Sequence, residues 1–377
     1  LNFPAGLAFD SSGNLFIADR NNHRIRRVDT HGIITTVAGN GIADMGGDNG
    51  LAIEANLNYP SDIVIDDKNN IFISDRSNNR IRKINPSGLI FTVVGRGMVG
   101  YGGDFGPAEK AILNHPFGID LDSRGNLYIA DRGNNRIRKV DAKGIITTIC
   151  GDGYHAFGGD YGPANRASLA YPTDIAADDK GNIYIADRNN NRVRKIDSLG
   201  IITPLMGTGK TDYNGDNEIS SETNLYLPLS IALDSDNRII IVDRSHFRVR
   251  SLDLKSRKVV TLAGNGKSYF KGDHGLALGA TLSSPSGIIM DRDENILFAD
   301  QSHNRIRKIN HNGVISTFAG NGKLGNEGNG GLAIDAALYR PTGLTLDAQG
   351  NIYVISRFPP SWNIRKIDRK GIIRHFA

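Results

Sequence analysis

Two sets of polar residues in this chain have the types and spacing to do chemistry, and their distribution separates them. Asp19, Asp75, Asp131, Asp187, Asp243 and Asp300 each stand five residues before Arg24, Arg80, Arg136, Arg192, Arg248 and Arg305, and in the seventh copy both members are lost together, to Ser356 and Asn363. Removing one partner of a buried ion pair strands the other charge, so joint loss predicts a structural pair across neighbouring strands. A catalytic group has no need of six copies. A second joint loss couples Arg20, Arg76, Arg132, Arg188 and Arg244 with Asp48, Asp104, Asp160, Asp216 and Asp273, which become Gln301 and Asn329 in the sixth copy. Each of these arginines is expected to pin a connecting segment through its aspartate.

The second set does not recur. Tyr59, His115, Tyr171 and Arg340 precede regularly spaced prolines, Asp62 and Asp174 follow two residues after them, and Asp120 adds a carboxylate where other copies have mostly small or apolar residues. Together they would form a mixed aromatic and polar funnel able to accept a ligand or a peptide end. Trp362, the one tryptophan, lies in the insertion Phe358-Pro359-Pro360-Ser361-Trp362. An aromatic beside proline suits a contact surface, and equally a plug beside the chain ends.

Other chemical-looking segments fail on spacing. Asp212, Asn214, Asp216 and Glu218 place oxygens at alternate positions, as a calcium loop does, but the glycine at position 6 and the glutamate at position 12 are missing. A solvated acidic loop is the plainer reading, so no cofactor is expected, with calcium the one candidate ion. Gly207-Thr208-Gly209-Lys210-Thr211 has Pro204 where a phosphate loop needs its first glycine. Of nine histidines, only His115 falls at a connecting-segment end facing the axis, too few for a zinc centre unless His155 and His274 fold inward. Cys150, the sole cysteine, lies in an apolar run and is expected to be buried and inert.

The elements that hold these residues follow from a repeat. Pro4, Pro60, Pro116, Pro172, Pro228, Pro285 and Pro341 mark units 56 residues apart, with one step of 57 where Leu254-Lys255-Ser256-Arg257-Lys258 replaces a glycine turn. Each unit reads as four strands, typified by Leu7-Ala8-Phe9, Leu15-Phe16-Ile17-Ala18, Arg24-Ile25-Arg26-Arg27-Val28 and Ile33-Ile34-Thr35-Thr36-Val37. Gly13, Gly125, Gly181 and Gly350 occupy a hairpin slot that demands a left-handed backbone. Pro204 within a fourth strand removes a ladder donor, so that strand must be an edge. Seven such units predict an all-β chain forming one domain over residues 1–377, a seven-bladed β-propeller of four-stranded antiparallel blades with its long linkers on one face.

The segment Asn22-His23-Arg24-Ile25, the Pro-x-Gly-Leu/Ile starts and Gly125-Asn126-Leu127-Tyr128-Ile129-Ala130-Asp131 resemble NHL-repeat propellers along essentially the whole chain. The linker Gly102-Gly103-Asp104-Phe105-Gly106-Pro107-Ala108 resembles those of bacterial exported NHL proteins and of the NHL region of teneurins. The resemblance implies the fold strongly and the function poorly, because the family includes RNA readers, protein-binding scaffolds and a metal-dependent amidating lyase.

Charge narrows these readings. The chain carries +5, yet Asp, Glu, Lys and Arg over the six linkers sum to −6, so the linker face is not expected to bind nucleic acid, although the arginines of the strand turns could offset that acidity locally. No apolar run reaches the length of a membrane span. Leu1 is not a start methionine and no leader precedes the first repeat, so the chain reads as processed or excised, with a periplasmic or extracellular site implied by the resemblance. The expected function is a noncatalytic protein- or ligand-binding scaffold, part or subunit of a larger extracytoplasmic protein, with a protein or peptide the expected partner and the oligomeric state open. The alternative is a propeller lyase or hydrolase using an axial metal or His115, and RNA binding ranks third.

Overall fold

The computed structural model describes residues 1–377 except 31–32, 179, 217–218, 234–237, 292, 348, 359–360 and 377, and except the side chains of 230, 232, 233, 357, 358, 361 and 362. Every unit folds into four strands, in the first unit Pro4–Phe9, Leu15–Asp19, Arg24–Val28 and Ile34–Ala38. The second strand is buried at all five positions, the pattern of a strand covered on both faces. Its lead-in turn explains the recurrent Asp-x-x-Gly-Asn. Asp10 Oδ1 accepts the backbone N–H groups of Ser12 and Asn14 at 3.0 and 2.8 Å, while Gly13 takes φ 82°.

Seven sheets result, each with its strands in chain order, and the protein is a seven-bladed β-propeller of four-stranded antiparallel blades. The fourth strand is the edge in each sheet, which is where Pro204 sits, in Ile202–Met206. Between the second and third strands the chain makes a single 3-10 turn, Arg20–Asn22 in the first blade, closed by His23 at φ 54°. This turn was not expected from the strand pattern. It proves central to the site.

The chain divides into two compact units, residues 1–190 with 194–203 and residues 191–193 with 204–377. In the first, the first strands Pro4–Phe9, Ile63–Ile65, Ile119–Leu121 and Pro172–Ala177 touch one another in that order. Its core lies between consecutive blades. Phe16, Ile25 and Ala38 of one blade, Ala52, Ala55 and Leu57 of the linker, and Ile63, Ile73 and Ile90 of the next form one cluster. The linker therefore acts as a wedge, its short turn Ala52–Glu54 fitting because its inward residues are alanines. It is tied to the next blade's outer hairpin, where Ile90 N–H donates to Gly50 O at 3.1 Å and Ala52 N–H to Gly88 O at 2.8 Å. In the second unit, Leu297, Ile306, Ala336, Leu338, Ile352 and Val354 build the same layered core. Cys150 is buried, as expected, and burial pushes its thiol pKa up. Among the described residues no helix is long and apolar enough to cross a membrane.

Candidate functional site

The recurrent aspartates are ion-paired, but to a different arginine from the one expected. Asp75 and Arg80 stand opposite each other in the strand register, yet the guanidinium that reaches Asp75 Oδ2, at 3.4 Å, is that of Arg82. The same holds for Arg26 on Asp19, Arg138 on Asp131, Arg194 on Asp187, Arg250 on Asp243 and Arg307 on Asp300, at 3.2 to 3.6 Å. These arginines also take the linker aspartates, correcting the second expectation: Arg82 reaches Asp48 at 3.0 Å, Arg138 Asp104 at 2.9 Å, Arg250 Asp216 at 3.0 Å and Arg307 Asp273 at 2.8 Å. One guanidinium thus bridges two carboxylates, one of its own blade and one of the linker. It lies two residues beyond the predicted partner, on the same face of the strand.

The arginine predicted for that role does something else. Arg24 donates to Asn22 O at 3.1 Å and Asn40 O at 2.8 Å, sealing the start of its linker. A methyl group on Gly41, at φ +92°, would lie 2.5 Å from that guanidinium, which is why Gly-x-Gly opens the linker. In the seventh blade the substitutes bond each other directly, Ser356 Oγ to Asn363 Oδ1 at 2.6 Å, while Arg365 turns to Asn329 and to the Ala337 carbonyl.

The residue before each proline is held in an unusual conformation. Phe3, Tyr59, His115, Tyr171, Leu227, Ser284 and Arg340 all have φ between 45° and 53°, a region that bulky side chains seldom occupy. In Tyr59, His115, Tyr171, Leu227 and Arg340 the amide is captured by the residue that follows the 3-10 turn one blade earlier. His115 N–H donates to Asn79 Oδ1 at 2.9 Å, Tyr171 N–H to Asn135 Oδ1 at 3.1 Å, and Tyr59 N–H to His23 Nδ1 at 3.2 Å. Tyr59 and Tyr171 are left 40% exposed, and His115 is exposed too. His23 and His155 pack edge-on against the two tyrosines at 4.8 Å.

Among these rings stand Arg20, Arg76 and Arg132, each the first residue of its 3-10 turn, as Arg188 is in the fourth blade. Sequence reasoning had assigned them to linker aspartates. Instead Arg20 lies over Tyr59 at 6.0 Å, Arg76 and Arg132 flank Phe117 at 5.8 and 5.2 Å, and Arg132 also lies over Tyr171 at 5.1 Å. Burial and mutual repulsion lower the pKa values of Arg20, Arg76 and Arg132, with Arg132 acting on Arg20, Arg20 on Arg76, and Arg76 and Arg188 on Arg132. His115 is held below the usual imidazole range by burial, then by Arg76 and Arg132. The first unit therefore carries a positive, aromatic-lined surface around His115.

The other predicted site residues are placed elsewhere. Asp62 is no open funnel group: its two oxygens accept Ile63 N–H at 3.0 Å and Ile119 N–H at 2.9 Å, stapling one first strand to the next. Burial pushes its pKa up to about 7, and Asp120 adds to the rise. Asp120 does the same with Leu121 and Ala177, its pKa raised by burial, and Asp174 accepts Ile175 N–H at 3.0 Å. Arg340 is exposed in the second unit, its N–H bonded to Asn304 Oδ1 at 3.0 Å. Trp362 pairs with Arg357 in the strand Ser361–Ile367, and its side chain lies outside those described.

In the suspected calcium loop, Asp212 Oδ2 accepts from Asn224, Asn214 bonds Glu222 O and Asn224 N–H, and Asp216 Oδ1 accepts from Arg250 and Thr261. Glu218 lies outside the described residues. His246 and His303 replace the asparagine that elsewhere links the aspartate to a linker carbonyl, contacting Asp243 and Thr211 O, and Asp300 and Ser268 O, at 2.8 to 2.9 Å. Among the described residues no group of three or more His, Cys, Asp or Glu could hold a metal ion.

Comparison with known proteins agrees with this architecture. The teneurin NHL domain model matches residues 97–158 and 265–327, and the NHL repeat model residues 1–28, 57–84 and 169–196. The chain is 30% identical over 328 residues to the protein suppressor of quenching 1, chloroplastic, of Arabidopsis thaliana, covering 83% of this chain and 30% of that protein. It is 27% identical over 403 residues to teneurin-1 of Gallus gallus, covering 94% of this chain and 14% of that protein. It thus spans less than a third of either relative. A streptogramin B lyase structure shares the fold at TM-score 0.61 and 14% identity, with 93% of this chain and 89% of the other covered. Repeat, blade and linker together place the chain in the NHL-repeat family.

Proposed function

We propose that this propeller is a noncatalytic binding module of a larger extracytoplasmic protein, and that it recognises its protein or ligand through the linker face of the first unit. The observation that supports this reading is the left-handed slot before the prolines. Tyr59, His115 and Tyr171 are fixed there by hydrogen bonds from the preceding blade, and yet remain exposed. Aromatic groups that are rigid before binding lose little entropy when they make contact, which is what a recognition surface needs. The relatives carry the corresponding segment as one part of much longer chains, which suits a module more than a free-standing enzyme.

Selection of a random peptide library against the wild-type chain tests this, with rebinding to Tyr59→Ala/Tyr171→Ala. Selected peptides should lose at least tenfold in affinity for the double variant. Peptides that bind both proteins equally would place recognition elsewhere and sink the reading. The enzymatic alternative draws on one feature, an imidazole at His115 whose pKa is lowered by partial burial and then by its arginine neighbours, favouring the neutral state required of a general base.

A further inference from the structure

Arginines of this repeat come in three positions, and two are engaged by carbonyls or carboxylates. The Arg24 position is bonded to linker carbonyls and the Arg82 position to two carboxylates. The third position, Arg20, Arg76, Arg132 and Arg188, is different. None of the four is in an ion pair among the described residues; their buried Nε atoms lack a hydrogen-bond partner, as those of Arg80, Arg82, Arg136 and Arg138 also do, so the missing ion pair is what sets them apart. Arg20, Arg76 and Arg132 lie against the faces of Tyr59, Phe117 and Tyr171, which orient a guanidinium but do not neutralise it. Arg76 and Arg132 are held against one Phe117 ring, at 5.8 and 5.2 Å, with Arg20 and Arg188 at the same position of the flanking blades; like charges so placed raise the free energy of the empty surface, and an anion placed among them would relieve it.

We infer that this surface binds a compact multivalent oxyanion, its carboxylate or phosphate oxygens held by the guanidinium groups of Arg20, Arg76, Arg132 and Arg188 beside His115. Guanidinium groups suit such oxygens because their paired N–H donors match two acceptors at once. Of the linker charge of −6, Asp48, Asp104 and Asp160 are held by the buried Arg82, Arg138 and Arg194 and not by this third set of arginines. The remaining linker acids, such as Asp44 and Glu54, keep the linkers net negative, which favours a small anion over a long polyanion.

The inference rests on the linker face of the first unit being the recognition surface, and it fails separately from that reading. Isothermal titration of the whole chain with citrate, with pyrophosphate and with a 20-nucleotide oligouridylate, at constant ionic strength, is the test. Citrate or pyrophosphate should saturate one site. Arg132→Gln and Arg76→Gln should each weaken that binding about tenfold or more, whereas Arg124→Gln, which removes an exposed charge outside the cluster, should leave it unchanged. Arg132→Lys should restore part of the loss, separating charge from misfolding. No saturable binding of citrate or pyrophosphate, an equal loss in Arg124→Gln, or binding by the oligonucleotide alone would each overturn the inference. Peptide recognition that still depends on Tyr59 and Tyr171 would survive all three outcomes.

Discussion

Replacing Arg138 with methionine puts the bridging arginine to its sharpest test. Arg138 is fully buried and donates to Asp131 at 3.4 Å, Asp104 at 2.9 Å, the Gly102 carbonyl at 3.2 Å and the Ile112 carbonyl at 3.4 Å. Methionine keeps much of the volume and none of the donors, so Asp131, itself 0% exposed, is left as a buried charge without its cation. Breaking such a pair costs about 3–5 kcal/mol. Asp131→Ser should cost less, about 1–2 kcal/mol, because the seventh blade already runs with Ser356 there and Arg365 satisfied by linker carbonyls. Once the carboxylate is gone, Arg138→Met no longer strands a charge, and the double variant should be about 2 kcal/mol more stable than the two single losses predict. The Arg138→Met loss should also be larger at pH 8 than at pH 5. Asp131 already has its pKa pushed up to about 6 by burial, and without Arg138 it holds its proton still more firmly. Urea unfolding followed by circular dichroism measures all three variants. An Arg138→Met cost below about 1 kcal/mol, or strict additivity in the cycle, would refute the bridging role.

Three further expectations follow from the same geometry. Asp62 has a folded pKa of about 7, above its ordinary 3.8, so its stabilisation is complete below 3.8 and lost as pH rises through 7, by up to roughly 4 kcal/mol. Asp104, Asp122, Asp178 and Asp347 are shifted down and act oppositely, stabilising above 3.8 and losing that contribution as pH falls. Thermal unfolding should therefore be most resistant near about pH 4, where the lowered aspartates are already ionised and the loss from Asp62 has only begun, and Asp62→Ala should flatten the decline between pH 4 and 7; stability climbing steadily to pH 8 would contradict this. Gly41→Ala should cost more than about 2 kcal/mol because it meets the Arg24 guanidinium, while Gly125→Ala, at φ +78° with nothing within 4 Å, should cost about 1. Paired melting curves distinguish them, and equal losses would argue against the guanidinium contact. His303→Asn should change stability by less than about 1 kcal/mol, since Asn78 donates to Asp75 and to the Asp44 carbonyl in the same place, whereas His303→Leu should cost about 2–3. A comparable loss for both would show that the imidazole does something asparagine cannot.

The blades were legible because their signals are local. Proline spacing, the Asp-x-x-Gly-Asn turn and the apolar alternation each need only a few neighbouring residues. Pairing was harder to read. The joint loss of Asp and Arg in the seventh blade suggested direct contact, but the true partner, Arg365, survives there on the carbonyls of Ala337 and Glu327. A backbone acceptor leaves no trace in side-chain identity, so the bridging arginine looked uninvolved. The site was half legible. Tyr59, His115 and Tyr171 stood out because they do not recur, whereas Arg20, Arg76, Arg132 and Arg188 were hidden by recurring. Repetition identified what the scaffold uses at every position except this one, where repeated charges converge without being consumed.

The local field at His115 gives the most direct reading of that convergence. Following the histidine Cε1–H resonances by NMR across pH should show His115 titrating below 6.5 in the anion-free chain, because partial burial and then Arg76 and Arg132 oppose its proton. Its pKa should rise in Arg132→Gln, and rise again in the wild-type chain saturated with pyrophosphate. A His115 that titrates at 6.5 or above and responds to neither change would mean that the four guanidinium groups do not gather there, and the binding surface would fall with them.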